Sequence, residues 1–73
     1  MKIEKTCRCI NSTRLFNGET GYDMEFHKGR EYQLDVYTTS DQPEHFKVYQ
    51  NGGWDHWIMM SKEEFDKIFV EID

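Results

Sequence analysis

The side chains that could bind a metal ion are two cysteines and three histidines. Cys7 and Cys9 are two residues apart, whereas His27, His45 and His56 are spread along the rest of the chain. Two thiolates and two imidazoles suit tetrahedral zinc, but structural zinc sites usually pair cysteines two to four residues apart on a turn. A Cys-x-Cys pair on a strand holds its sulfurs apart. The sequence therefore predicts no metal site and no cofactor.

The two cysteines can also be interpreted as small hydrophobic residues. Met1, Ile3, Cys7 and Cys9 fall on one side of a predicted first strand, with mostly polar residues on the other side. Residues two apart on a strand are about 6.6–6.8 Å apart at the backbone, which is the outer limit for a disulfide. We expect two buried thiols, with a metal-binding or reactive thiol pair as the alternative.

Asp55 and His56, next to two tryptophans, form the cluster with residue types suited to acid–base catalysis. Adjacent strand residues point to opposite faces, so these two side chains cannot pair directly. An enzyme also needs a nucleophile, an acid or base and an orienting group in one pocket. The sequence therefore predicts a protein that is not an enzyme.

Aromatic residues are numerous enough to supply both a core and a binding surface, with five Phe, four Tyr and two Trp in 73 residues. One set lies on the sides of three successive predicted strands that face away from the predicted core. Its apolar members are Tyr37, Tyr49, Trp57 and Met59, rimmed by Asp35, Lys47 and Asp55. Tyr, Trp and Met are enriched at interface centres. We predict that the four apolar residues anchor a protein partner while Lys47 and Asp55 set its orientation. The alternative is that the long hairpin or the terminal helix covers them.

The charge of the chain is acidic, with nine Lys and Arg against fourteen Asp and Glu and a formal net charge of −5. This balance argues against direct nucleic-acid binding, which depends on neutralising phosphates. A second hypothesis is that acidic residues imitate phosphates and occupy a DNA- or RNA-binding protein. The carboxylates concerned are Glu19, Asp23, Glu25, Glu31 and Asp35. The alternative is that the charge only favours solubility.

The strand that must position most of these residues lies within Lys28–Thr38. Tyr32, Leu34 and Val36 alternate with polar residues there, which is the clearest period-two signal in the chain. The preceding segment, Asn11–Gly21, predicts a long irregular hairpin with a type I′ turn at Asn17-Gly18.

Two further connections are indicated downstream. Thr39–Glu44 contains the single proline and predicts an exposed connection. Asn51-Gly52-Gly53 predicts a tight hairpin into a last apolar strand at Trp54–Met60.

Ser61–Glu64 has the pattern of a capping box, and Met60 and Phe65 are spaced for a hydrophobic staple. We expect a helix of one or two turns from Lys62, followed by a strand from about Ile68. Continued helix through Ile68–Ile72 fits the spacing equally well.

Chain length and the amino terminus bound the remaining possibilities. Seventy-three residues predict one domain, residues 1–73, because so short a chain cannot support two cores. No apolar run approaches the ~20 residues of a membrane span. The first residues, MKIEKTCRC, lack the hydrophobic core of a signal peptide, so we expect a cytoplasmic protein.

The predicted order of elements resembles an SH3-like barrel. Lys28–Leu34 resembles the glycine-turn segment of such barrels, and Ser61–Ile72 resembles their short helix and closing strand. The resemblance implies a five-stranded, mainly antiparallel barrel with one short helix. Peptide-binding SH3 domains carry an aromatic pair in the first strand and a proline before the short helix. This chain has Cys7, Cys9 and Ser61 there, so recognition of proline-rich ligands is not implied.

In style, the chain is also similar to the compact accessory proteins of bacteriophages and prophages. The shared features are small size, acidity and a high aromatic content. Many such proteins bind and inhibit a host protein. The resemblance thus implies a phage-type inhibitor or modulator of a bacterial protein.

Overall fold

The computed structural model describes residues 1–50 and 56–72. In these ranges the chain is mainly β with one short helix, as predicted. The elements in chain order are β1 (Lys2–Cys9), β2 (Thr13–Asn17), β3 (Tyr22–Phe26), β4 (Glu31–Thr39), β5 (Gln42–Tyr49), β6 (Trp57–Ser61), α1 (Lys62–Ile68) and β7 (Phe69–Glu71). The predicted Asn51–Gly53 turn, with Trp54 and Asp55, lies outside the described residues.

A five-stranded antiparallel sheet forms a curled half-barrel, with the strand order β6-β5-β4-β1-β7. The predicted five-stranded antiparallel sheet is therefore confirmed. The hairpin of β2 and β3 is a separate two-stranded sheet. Strand β4 is the centre of the large sheet because β1 and β5 pair with its two edges.

The core lies between one face of the large sheet, the hairpin and the helix. Leu34 and Val48 on the sheet are fully buried. The hairpin contributes Phe26, whose ring meets Phe69 edge to face at 5.2 Å between centroids, and the helix contributes Phe65, which also contacts the Phe69 ring at 5.5 Å. Each such buried side chain stabilises the fold by about 1.5–3 kcal/mol relative to exposure.

The amino-terminal end of β1 is more exposed than its carboxyl-terminal end. Cys7 and Cys9 are buried, but Met1 is 81% exposed and Ile3 is 39% exposed. Strand β7 pairs with β1 only over Cys7–Cys9, so Ile3 and the preceding Met1 lack this neighbour. The side of the strand shared by Met1, Ile3, Cys7 and Cys9 is therefore buried only at the cysteines.

The turn between β2 and β3 differs from the expected type I′ turn. Asn17 ends β2, the turn covers residues 18–21, and the amide of Gly21 donates to the carbonyl of Asn17 at 2.8 Å. A type I′ turn needs positive φ at both central residues, but in this loop only Gly21 has it, with φ 79°. The four-residue loop also leaves β2 and β3 in regular register rather than irregular.

The connection between β4 and β5 is shorter than predicted. Thr39 pairs with Gln42, so only Ser40 and Asp41 lie between the strands, and Pro43 is inside β5. The register shifts between Tyr37 and Thr39. A proline lacks an amide donor and is tolerated at such a bulge, which explains why it does not end the strand.

The helix begins as the capping pattern predicts. Ser61 is the N-cap, and its Oγ accepts a hydrogen bond from the amide of Glu64 at 3.3 Å. The helix ends at Ile68, and the chain continues as strand β7, as we expected. Among residues 1–50 and 56–72, no helix has the length and apolar character needed to cross a membrane.

Candidate functional site

The strand register brings most of the predicted anchor residues onto one surface. Asp35 pairs with Lys47, which pairs in turn with Met59, and Tyr49 pairs with Trp57. These residues alternate with the buried Leu34 and Val48, so they lie on the face opposite the core. We call this set the outer-face cluster. It comprises Asp35, Tyr37, Lys47, Tyr49, Trp57 and Met59.

Lys47 holds two rings of the cluster together. Its Nζ lies 4.4 Å from the centroid of the Trp57 ring and 5.1 Å from that of the Tyr49 ring. Each cation–π contact of this kind contributes about 0.5–1 kcal/mol at an exposed site. The lysine predicted to orient a partner is thus already bound to the predicted anchors.

Asp35 is not the exposed rim residue that the alternation predicts. Its side chain is 1% exposed, because β1 and β5 flank it on both sides of the central strand. Its Oδ2 accepts a hydrogen bond from the hydroxyl of Tyr49 at 2.8 Å. The expectation that Asp35 is a solvent-facing carboxylate was therefore wrong.

The hydroxyl of Tyr49 remains a proton donor over the whole physiological pH range. Burial raises its pKa, and the hydrogen bond and negative charge of Asp35 raise it further. Tyr37 also contributes to the rise of this pKa. The Tyr49–Asp35 pair thus has one fixed polarity, with the phenol donating and the carboxylate accepting.

The second carboxylate oxygen of Asp35 is an exception to the usual satisfaction of buried polar atoms. Oδ1 is buried and has no hydrogen-bond partner among the residues described. A buried acceptor without a donor costs about 1–3 kcal/mol, and more when it is charged. Such an atom calls for a specific explanation, such as a bound water, an ion or a role in binding.

The remaining predicted anchors are accessible to different degrees. Tyr37, Tyr49 and Trp57 are half-buried, and Met59 is 42% exposed. The buried apolar residues of the hairpin and helix belong to the core cluster, on the opposite face from these four. Asp55, the other predicted orienting residue, lies outside the described residues.

The carboxylates of the nucleic-acid-mimic hypothesis do not form a free acidic row. Glu25 makes an ion pair with Arg14, and Glu31 makes one with Arg8 at 3.0 Å. The hydrogen bond from Arg14 lowers the pKa of Glu25. With Asp35 buried, the exposed unpaired acids that this hypothesis requires are reduced in number.

Cys7 and Cys9 have the environment of core residues rather than of reactive thiols. They are 0% and 1% exposed, and both are free cysteines. Burial raises the pKa of Cys7 to about 12 and also raises the pKa of Cys9. Both side chains are therefore neutral thiols at physiological pH, which disfavours nucleophilic reactivity and metal binding.

The histidines do not converge with the cysteines. His27 and His45 are exposed, and the ring of His56 stacks on Tyr22 with centroids 4.1 Å apart. Over residues 1–50 and 56–72, no three His, Cys, Asp or Glu residues come together as a metal site requires.

A recess of about 280 Å³ beside the hairpin is a feature that the sequence did not indicate. Ser12, Arg14, Glu25 and His27 contribute to its lining. Nε2 of His27 is 3.8 Å from Oε2 of Glu25, beyond hydrogen-bond distance. Oγ of Ser12 accepts a hydrogen bond from the amide of Lys28 at 2.8 Å, so this serine joins the segments that precede β2 and follow β3.

No protein-family model, curated protein or solved structure matches the chain. The functional argument consequently depends on the geometry of the outer-face cluster. That geometry brings together the rings of Tyr49 and Trp57, a lysine and a buried carboxylate on one face of a sheet.

Proposed function

We propose that the protein is a non-enzymatic protein-binding module that uses the outer-face cluster as its contact surface. The observation that supports this most is the placement of the Lys47 ammonium over both Trp57 and Tyr49, on the sheet face away from the core. Tyr and Trp are the residues that most often dominate binding energy at interfaces.

The arrangement also favours binding because the rings are held before a partner arrives. Tyr49 is fixed by its hydrogen bond to Asp35, and the backbone of Trp57 is held by its pairing with Tyr49 and by the Asn17 side chain. Immobilising a free side chain at an interface costs about 0.5–1.5 kcal/mol. Rings that are already ordered avoid most of that cost.

An SH3-like barrel is the fold that we assign to this module. The order β6-β5-β4-β1-β7, the hairpin inserted between β1 and β4, and the helix just before β7 support the assignment. The small size, the acidity and the aromatic content support a biological role as a phage-type inhibitor or modulator of a bacterial protein.

Replacement of Trp57 by alanine tests the proposal. We expect Trp57→Ala to weaken partner binding by about 2 kcal/mol or more while leaving the fold intact, because the ring is half-buried on the outer face. Bacterial proteins captured by the tagged wild-type protein would be compared with those captured by the variant, and affinity for the specific partner then measured by calorimetry.

Phe16→Ala is the matched control. Phe16 is an aromatic residue that is 61% exposed on β2, outside the cluster. We expect this variant to bind as the wild type does. Equal binding by the wild type and Trp57→Ala contradicts the proposal, and unfolding of Trp57→Ala, measured by far-UV circular dichroism, shows that the ring stabilises the fold instead.

Salt dependence separates this function from nucleic-acid mimicry. A contact made by rings and one buried carboxylate should change little between low and high salt, whereas a row of exposed carboxylates acting as phosphates should lose affinity steeply. The ion pairs of Glu25 and Glu31 with arginines favour the aromatic surface over the acidic one.

A further inference from the structure

The buried carboxylate of Asp35 indicates what kind of side chain the outer face receives. Its Oδ2 is occupied by the Tyr49 hydroxyl, but Oδ1 has no donor within the described part of the chain. A carboxylate in this position is stabilised by a cation that brings hydrogen-bond donors. The unfilled acceptor therefore calls for a positively charged group.

The lysine directly across the strand pair does not fill this role. Lys47 is the cross-strand partner of Asp35 on β5, yet its ammonium lies over the rings of Trp57 and Tyr49. No ion pair joins Lys47 to Asp35 in the described ranges, although opposite charges directly across a strand pair normally attract. The rings thus hold a cation while the carboxylate beside them lacks one.

A guanidinium group satisfies both features at once. It is planar and stacks on aromatic faces, and its N–H groups form a fork that matches a carboxylate. An ammonium is a compact point charge. It therefore stacks on rings less well than a guanidinium does, and it does not match both oxygens of a carboxylate. The chemistry of the cluster therefore favours arginine over lysine.

We propose that the outer-face cluster binds an arginine side chain of the protein partner. The guanidinium stacks on Trp57 and Tyr49 in place of the Lys47 ammonium and donates to Oδ1 of Asp35. This inference rests on the proposed protein-binding function and names the chemistry of the partner's anchor residue. The net charge of −5 supports a basic partner.

In the free protein the Lys47 ammonium lies on the ring faces that the arginine would contact, so the arginine must displace it. Asp35 is 1% exposed, so neighbouring outer-face side chains must move before a guanidinium reaches Oδ1, and Lys47 is its cross-strand partner on β5. Lys47 is half-buried on a flexible four-carbon stem, so it can move into solvent without disturbing the core. Its removal should therefore strengthen arginine binding.

The experiment uses short peptides as probes. Trp54→Phe leaves Trp57 as the single tryptophan, and fluorescence of this protein is titrated with acetyl-Gly-Arg-Gly-amide. The matched peptides contain lysine or the neutral isostere citrulline in place of arginine. We expect the arginine peptide to change Trp57 fluorescence at concentrations about tenfold lower than the other two.

Two variants test the roles of the residues. Lys47→Met keeps the length of the side chain without its charge, and we expect it to bind the arginine peptide severalfold more tightly. Asp35→Asn removes the negative charge, and we expect about tenfold weaker binding. Circular dichroism checks that each variant is folded, and Lys47→Met keeps the test decisive where Asp35→Asn does not fold.

Three results would overturn the proposal. They are equal responses to the arginine and citrulline peptides, weaker or unchanged binding by Lys47→Met, and unchanged binding by folded Asp35→Asn. If one of these results is found and the partner still requires Trp57 for binding, the surface binds protein through an anchor other than arginine. Loss of the Trp57 requirement itself contradicts the protein-binding function.

Discussion

At the residue scale, the hydrogen bond from Tyr49 to Asp35 determines the character of the outer face. The Tyr49 hydroxyl donates to Oδ2 of the buried Asp35 at 2.8 Å, and this bond holds the Tyr49 ring in place. The Lys47 ammonium then aligns a second ring, that of Trp57. A set of side chains that the sequence presents as separate anchors becomes one connected polar and aromatic group.

The buried thiol of Cys7 makes stability depend on pH in the alkaline range. Its pKa is raised from 9.0 to about 12, so above pH 9.0 the unfolded chain loses a proton that the folded protein retains. The free energy of unfolding should then fall as pH rises from 9.0 toward 12. Urea denaturation at a series of pH values measures this decline.

Cys7→Ala isolates the contribution of the thiol. We expect the variant to be less stable at neutral pH but to show a flatter decline above pH 9.0. Val48→Ala, another truncation of a fully buried side chain, has no titrating group and should keep the wild-type slope. Identical slopes in wild type and Cys7→Ala would refute the assignment.

At the element scale, the hairpin turn depends on backbone conformation more than on the Asn-Gly pattern. Gly21 has φ 79°, whereas Gly18 has no positive φ. Asn17 is 4% exposed, and its Oδ1 accepts the amide of Glu19 at 2.8 Å. The asparagine therefore stabilises the start of the turn, and the glycine that the turn requires comes four residues later.

Two glycine substitutions distinguish this turn from a type I′ turn. We expect Gly21→Ala to lower the free energy of unfolding by about 1 kcal/mol, because an L residue is strained at positive φ. The cause is the backbone alone, since an added Cβ meets no atom within 4 Å. Thermal and urea unfolding measure the change.

Gly18→Ala is the control for this prediction. Its Cβ would lie 4.0 Å from the Phe16 ring, an ordinary contact. We expect it to be neutral or slightly stabilising, because alanine restricts the unfolded chain more than glycine does. A type I′ turn at Asn17-Gly18 requires the reverse order, with Gly18→Ala the more damaging change.

At the scale of the whole molecule, the β2–β3 hairpin covers the core, and side-chain hydrogen bonds attach it to the large sheet. Nδ2 of Asn17 donates to the carbonyl of Trp57 at 2.6 Å, and Nε2 of Gln50 donates to the carbonyl of Glu25 at 3.0 Å. The first bond joins the tip of the hairpin to the backbone of the strand that carries the main anchor ring. The position of the hairpin and the position of the β6 backbone at Trp57 are therefore linked.

Asn17→Ala should weaken this attachment. We expect a loss of about 1–3 kcal/mol, since the change removes the donor to the Trp57 carbonyl and the acceptor of the Glu19 amide. Amide hydrogen exchange in β2 and β3 should accelerate more than in β4. Exchange that rises equally in all strands would show that the bond serves global stability only.

Asn11→Ala provides the comparison. Nδ2 of Asn11 donates to the carbonyl of Lys67 at 2.6 Å, but this asparagine is exposed, so water replaces the lost partner. We expect a smaller effect, well under 1 kcal/mol.

The sequence by itself determined the features that depend on spacing along the chain. The alternation of Tyr32, Leu34 and Val36 specifies the central strand and its buried face, because side chains on a strand alternate by geometry. Ser61 and Glu64 specify the start of the helix, because the cap forms within four residues. The same alternation placed Tyr49 and Trp57 on the face away from the core.

Only the tertiary structure decided the features that depend on residues distant in sequence. Asp35 is buried because the neighbouring strands and Tyr49 surround it, and the pattern of β4 alone predicts an exposed acid there. Asn17 is buried because β6, forty residues away, presents the Trp57 carbonyl to it. Local spacing fixes which face a side chain points to, but burial and hydrogen bonding are set by whatever the rest of the chain brings to that face.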